Sequence, residues 1–112
     1  MENTIQQILA ELKAEATAQQ KENILKMLNM LSLQNVGHEH LTMFINHLLV
    51  LFARIEKGEM LEMEGVREMM SELKPESTDK AREVAQILGE NISESEIFLV
   101  ATHIENLINQ QR

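Results

Sequence analysis

The four histidines, His38, His40, His47 and His103, are the residues of this chain best suited to chemistry near neutral pH, because imidazole alone titrates there in its ordinary state. His40 and His47 are seven residues apart, so on a helix they lie only about 20° from a common face. His103 sits among Leu99, Val100 and Leu107, one turn away on either side. A lone histidine in such a setting is most often a hydrogen-bonded core residue. A metal site drawn from His38, His40, His47 and Glu39 is the second reading. Residues two apart diverge by about 200° on a helix, so His38 and His40 share an ion only if His38 precedes the helix, and no metal is expected. The chain has no nucleophile triad, no glycine loop to cradle phosphate and no zinc-protease helix, so it is expected not to be an enzyme and to need no cofactor.

Composition narrows what can position these side chains. With 112 residues and 44 % apolar content, residues 1–112 suffice for a single domain with its own core. Three Phe and eight Met leave Leu, Ile and Val to fill it, a mixture suited to packed helices rather than strands. The absence of Cys excludes disulfides and thiolate zinc sites. A net charge of -8 with no basic stripe argues against direct nucleic-acid binding. No apolar run reaches the roughly 18 residues of a membrane span, and the start Met1-Glu2-Asn3-Thr4 lacks the basic opening of a signal peptide. A cytoplasmic protein without membrane contact is the expectation. The acidic residues fall at helix starts and positions expected to face solvent.

Apolar spacing predicts a compact all-α bundle of five to six helices. Ile5, Ile8, Leu9 and Leu12 form one helical face, and Ile24, Met27, Leu28 and Leu31 form a second, with a break expected within Thr17 to Asn23. After a polar connection over Ser32 to Asn35 and Gly37, residues His38 to Lys57 are apolar on nearly every side, and Gly58 closes that helix. Val66, Met69, Met70 and Leu73 mark a short helix ending before Pro75. Ser77-Thr78-Asp79 offers caps for the next, whose face is Ala81, Val84, Ala85 and Leu88, closed by Gly89. Ser93-Glu94-Ser95-Glu96 reads as a capping box opening a last helix to about Asn109, with the Glu96 side chain reaching back. The helices from His38 and from Glu94 are expected at the centre, wrapped by the others.

Two segments then resemble a known family. Glu39-His40-Leu41-Thr42-Met43-Phe44-Ile45-Asn46-His47 is similar to the first histidine motif of the PTS regulation domain, a helical module of bacterial antiterminators and activators controlled by the sugar phosphotransferase system. Glu96-Ile97-Phe98-Leu99-Val100-Ala101-Thr102-His103-Ile104 resembles its second motif, a Glu followed by a hydrophobic run and His-Ile. Where the family commonly has Arg, this chain has His47, and where it commonly has Asp before the first histidine, this chain has Glu39.

The resemblance implies that His40 and His103 accept phosphoryl groups from the phosphocarrier HPr or an enzyme II component, with Glu39, His47, Arg54 and Glu96 in support. It also implies a homodimer that controls transcription or antitermination through a partner, since 112 residues hold one such module. The chemistry is sound: neutral imidazole is a good nucleophile, and both burial and a helix N-terminus favour the neutral form. Phosphohistidine on the mid-helix His103 would need a cation, from Arg54, Arg67 or Arg82. The competing expectation is an unphosphorylated acidic adaptor that grips a partner helix with Met60, Met63, Met69 and Met70.

Overall fold

The computed structural model describes residues 2–32, 36–89 and 91–110, and among them all regular structure is helical. Helix α1 spans Glu2–Glu11 and buries Ile5, Ile8 and Leu9. It closes without a glycine. Lys13 takes a left-handed φ of 53°, while the N–H groups of Ala14 and Lys13 reach the carbonyls of Leu9 and Ala10. Helix α2, Ala18–Leu31, then starts from Thr17, whose hydroxyl accepts from the Gln20 N–H at 3.0 Å while the Gln20 side chain accepts from the Thr17 N–H at 2.9 Å. The break therefore falls at residues 12–17, meeting the expected segment only at Thr17, and residues 18–23 are helical. The polar run after Thr17 forms the first turns of α2, with Gln19 and Glu22 exposed and Gln20, Lys21 and Asn23 half-buried.

Helix α3 spans His38–Lys57 as expected, and Gly58 closes it in the left-handed region at φ 69°, its N–H reaching the carbonyls of Arg54 and Ile55. Its burial is one-sided. Leu41, Phe44, Ile45, Leu48, Leu51 and Phe52 are buried, whereas Met43 and Val50 are 58 % and 42 % exposed, so α3 flanks the core and is not enclosed by it. Of the connection before it, residues 33–35 lie outside the described residues.

Helix α4, Val66–Ser71, is a single short piece that buries Met70. Helix α5, Pro75–Leu88, begins at least three residues earlier than a cap within Ser77-Thr78-Asp79 would allow. Proline at the first helical position lacks the N–H that would go unpaired there. The cap comes from elsewhere in the chain: the Glu105 carboxylate accepts from the Lys74 N–H at 2.7 Å and from the buried Ser77 hydroxyl at 3.1 Å. Helix α6, Glu94–Gln110, supplies that carboxylate and packs against α3, α4 and α5, while α5 also meets α2 and α2 meets α1. Its face of Ile97, Val100, Ala101, Ile104 and Leu107 shares one core cluster with Phe44 and Leu48 of α3 and Val84 of α5. Each buried Val, Ile, Leu or Phe among them contributes about 1.5 to 3 kcal/mol of transfer free energy. Among the described residues no helix is long and apolar enough to cross a membrane.

Of the methionines proposed as a gripping surface, Met70 is buried and Met60, Met63 and Met69 are half-buried. Only Met70 belongs to the core cluster.

Candidate functional site: two histidines beside a buried Arg–Glu pair

Helices α3 and α6 place side chains in matching steps. His47 and Arg54 are seven residues apart on α3, as Glu96 and His103 are on α6, so each pair lies along one face, roughly 10.5 Å apart along its helix axis. The helices run antiparallel, which brings Arg54 to Glu96 and His47 to His103.

The first step is an ion pair. Arg54 Nε donates to Glu96 Oε2 at 2.7 Å and Nη2 donates to Oε1 at 2.8 Å, a two-pronged match of guanidinium to carboxylate. Arg54 stands in the last turn of α3 and Glu96 in the first turn of α6, so each charge also opposes the partial charge of its own helix end. Glu96 is fully buried. Burial alone would raise its pKa, but the Arg54 hydrogen bonds, the Leu61 N–H at 3.0 Å and the positive charge of Arg54 together hold the carboxyl below the usual carboxylate range.

That carboxylate is thus turned inward. The Ser93 hydroxyl does cap α6, accepting from the Glu96 N–H at 3.2 Å, but the Glu96 side chain does not return to it. Half of the expected capping box forms. The other half is exchanged for a stronger, charge-assisted contact across the bundle. Around it, Ser95 Oγ accepts from the Met63 N–H at 2.7 Å and Ser93 Oγ donates to the Leu61 carbonyl at 2.8 Å, so the start of α6 holds the chain between α3 and α4.

The second step is a pair of imidazoles. The rings of His47 and His103 stack with centroids 4.4 Å apart and planes 29° from parallel. Both are half-buried. Burial, with repulsion from His103 and Arg54 outweighing attraction from Glu96, pushes the His47 pKa down to about 4. Burial also lowers that of His103. Both rings are therefore neutral at pH 7. The Nε2 atom of His47 is buried and has no hydrogen-bond partner among the described residues.

His40 stands apart from this arrangement. It lies seven residues before His47, about 10.5 Å further along α3, in the first helical turn. Its ring leans back over Gly37, where an added Cβ would lie 3.6 Å from His40 Cδ2. Gly37, having no side chain, gives α3 no side-chain cap. Glu39 is exposed beside it. His38 is also exposed and is bound at 2.7 Å by Glu11 of α1; that hydrogen bond leads the effects that lower the Glu11 pKa. Among the described residues no group of three or more His, Asp or Glu is placed to hold a metal ion.

The structure thus brings together four of the six residues singled out from the sequence, His47, Arg54, Glu96 and His103, and leaves His40 and Glu39 at the far end of α3. Of the three arginines considered for His103, Arg54 is committed to Glu96 and Arg82 to Glu94, at 3.1 Å. Sequence reasoning took the acidic residues for solvated ones and so missed that Glu96 is the buried centre of the site. It also missed the ring stacking, although the equal spacing of His47–Arg54 and Glu96–His103 was there to be read.

No curated protein and no solved structure shows a significant match to the chain. Residues 21–107, which hold both histidine motifs and all of the site just described, match the family model of the PRD domain, a regulatory module of sugar phosphotransferase control. The chain belongs to the PRD domain family.

Proposed function

We propose that the protein is a cytoplasmic regulatory module of the phosphoenolpyruvate-dependent sugar phosphotransferase system that accepts phosphoryl groups on His103 and His40. The observation that carries this reading is the neutral, half-buried imidazole of His103 on the second family motif, stacked on His47 beside the Arg54–Glu96 pair. A ring nitrogen of His103 attacks the phosphorus of a phosphohistidine on HPr or an enzyme II component. The new N–P bond forms as the donor's N–P bond breaks, and the electron pair returns to the donor imidazole. The donor supplies the activated group, so the chain is a substrate of the transfer and not its catalyst.

His40 receives a phosphoryl group in a different setting. The uncapped start of α3 leaves backbone N–H groups free to bind phosphoryl oxygens, worth roughly 0.3 to 1 kcal/mol per charge at an exposed end. At His103 a near-dianion enters between packed helices, and the packing of α3 against α6 or of a homodimer must answer it. That response is the signal read by a transcription or antitermination partner. Incubation of the protein with enzyme I, HPr and phosphoenolpyruvate, or with a phosphorylated enzyme II component, should give an acid-labile mass gain, reduced in His40→Ala and in His103→Ala. No gain with any matched donor refutes the reading.

A further inference from the structure

A phosphoryl group on His103 would arrive as a near-dianion, and two of the three arginines considered for it, Arg54 and Arg82, are already engaged by carboxylates. Arg54 has Nε and Nη2 both engaged by Glu96, and Glu96 is fully buried, so Arg54 cannot swing away without stranding a carboxylate. Arg82 is engaged by Glu94 on the surface. Among the described residues, the cation-capable group in ring contact with His103 is His47, at 4.4 Å between centroids. Its Nε2 is buried without a partner among the described residues, so a proton placed there today would find no acceptor among them. Oxygens carried on the stacked neighbour would supply one.

From this geometry we propose that His47 is a positioning residue that takes up a proton when His103 is phosphorylated, and that the imidazolium so formed is the counter-charge holding the phosphoryl group. The inference rests on the phosphoryl-acceptor reading of His103. The balance is simple: one proton moves from solvent to His47 for each phosphoryl group loaded, with no change of oxidation state. The charged and titratable groups acting on His47 are His103 and Glu96 across from it on α6 and Arg54 on its own helix. Burial and Arg54 disfavour the His47 proton, and Glu96 offsets them only in part; of these influences, only that of His103 changes sign when it is phosphorylated. A unit charge about 5 Å away in an effective dielectric near 20 changes a proton affinity by a few hundred-fold, and a near-dianion by roughly ten-thousand-fold. That is enough to carry a group titrating at about 4 past neutrality. Loading is thereby coupled to pH: acid favours the phosphorylated form and alkali weakens it.

Histidine ring signals of the full-length, isotope-labelled protein test this. The His47 ring should be neutral at pH 7 before phosphorylation and protonated after it. Independently of any donor, His103→Glu should raise the His47 titration midpoint by at least one pH unit over that in His103→Gln. A phosphohistidine formed on His103 with His47 still neutral at pH 7 overturns the inference and leaves the acceptor reading intact. Failure of every donor to load His103 defeats the acceptor reading, and the Glu and Gln variants then still decide the coupling: equal midpoints overturn it.

Discussion

Replacing Arg54 with alanine should destabilise the fold by an amount that grows with pH. In the wild-type protein the buried Glu96 carboxyl is held ionised by two guanidinium hydrogen bonds and the Leu61 N–H. Its folded pKa is lowered, so its contribution is present above the ordinary carboxyl pKa and lost as pH falls through the folded value. Without Arg54 the effect of burial prevails and the folded carboxyl becomes neutral, while in the unfolded chain it ionises near pH 4.3. Keeping it protonated at pH 7 costs about 3.7 kcal/mol, which places the variant about 3 to 4 kcal/mol below wild type, within the range for breaking a buried pair. At pH 5 the same cost is about 1 kcal/mol, so the deficit should narrow to about 1 to 2 kcal/mol. Urea unfolding followed by helical circular dichroism at pH 5, 6 and 7 measures it. Adding Glu96→Gln should abolish the pH dependence of the Arg54→Ala effect. A deficit under about 1 kcal/mol, or one equal at pH 5 and 7, would refute the assignment of Glu96 as a buried charge held by Arg54.

The neighbouring site makes a related prediction with its own signature. His47 stays neutral in the fold down to about pH 4, whereas an unfolded histidine takes a proton near pH 6.5. The unfolded chain thus binds more protons between those values, and stability should fall by about 2 kcal/mol as pH drops from 6.5 to 5, a loss absent in His47→Gln. Equal acid sensitivity of the variant and the wild type in urea titrations would contradict this. Glu105→Ala should leave the Lys74 N–H and the buried Ser77 hydroxyl without their acceptor and cost about 1 to 2 kcal/mol. Faster amide exchange confined at first to the start of α5 would accompany it, and exchange unchanged there would argue against the cap.

Periodicity and breakers exposed most of the scaffold in advance. The limits of α3 and the start of α6 are local matters, settled by Gly37, Gly58 and Ser93 and by the apolar spacing between. What could not be read locally was anything decided by a residue far along the chain. Ser77 resembles a cap, yet it is buried and donates to Glu105, 28 residues away. Met43 and Val50 belong to an almost wholly apolar segment, yet face outward, because the packing of α6 chooses one side of α3. The site followed the same rule. The histidines were conspicuous, but which of them meets His103 depends on antiparallel register, and that register selects His47 over His40. Glu96 satisfied the local pattern of a capping residue as well as that of a partner to Arg54, and the bidentate contact across the bundle prevailed.

The hydrogen bonds at the head of α6 tie a distant connector to one electrostatic link. Leu61 depends on the same oxygen, Glu96 Oε2, that Arg54 Nε occupies, while Met63 hangs on the adjacent serine. Pull the guanidinium off and the carboxylate must tilt toward water or gain a proton; the first removes the connector's anchor and the second weakens it, because a neutral carboxyl is a poorer acceptor. Nicking by a protease between Glu59 and Gly65 would then report, from the outside, whether the link within is fastened.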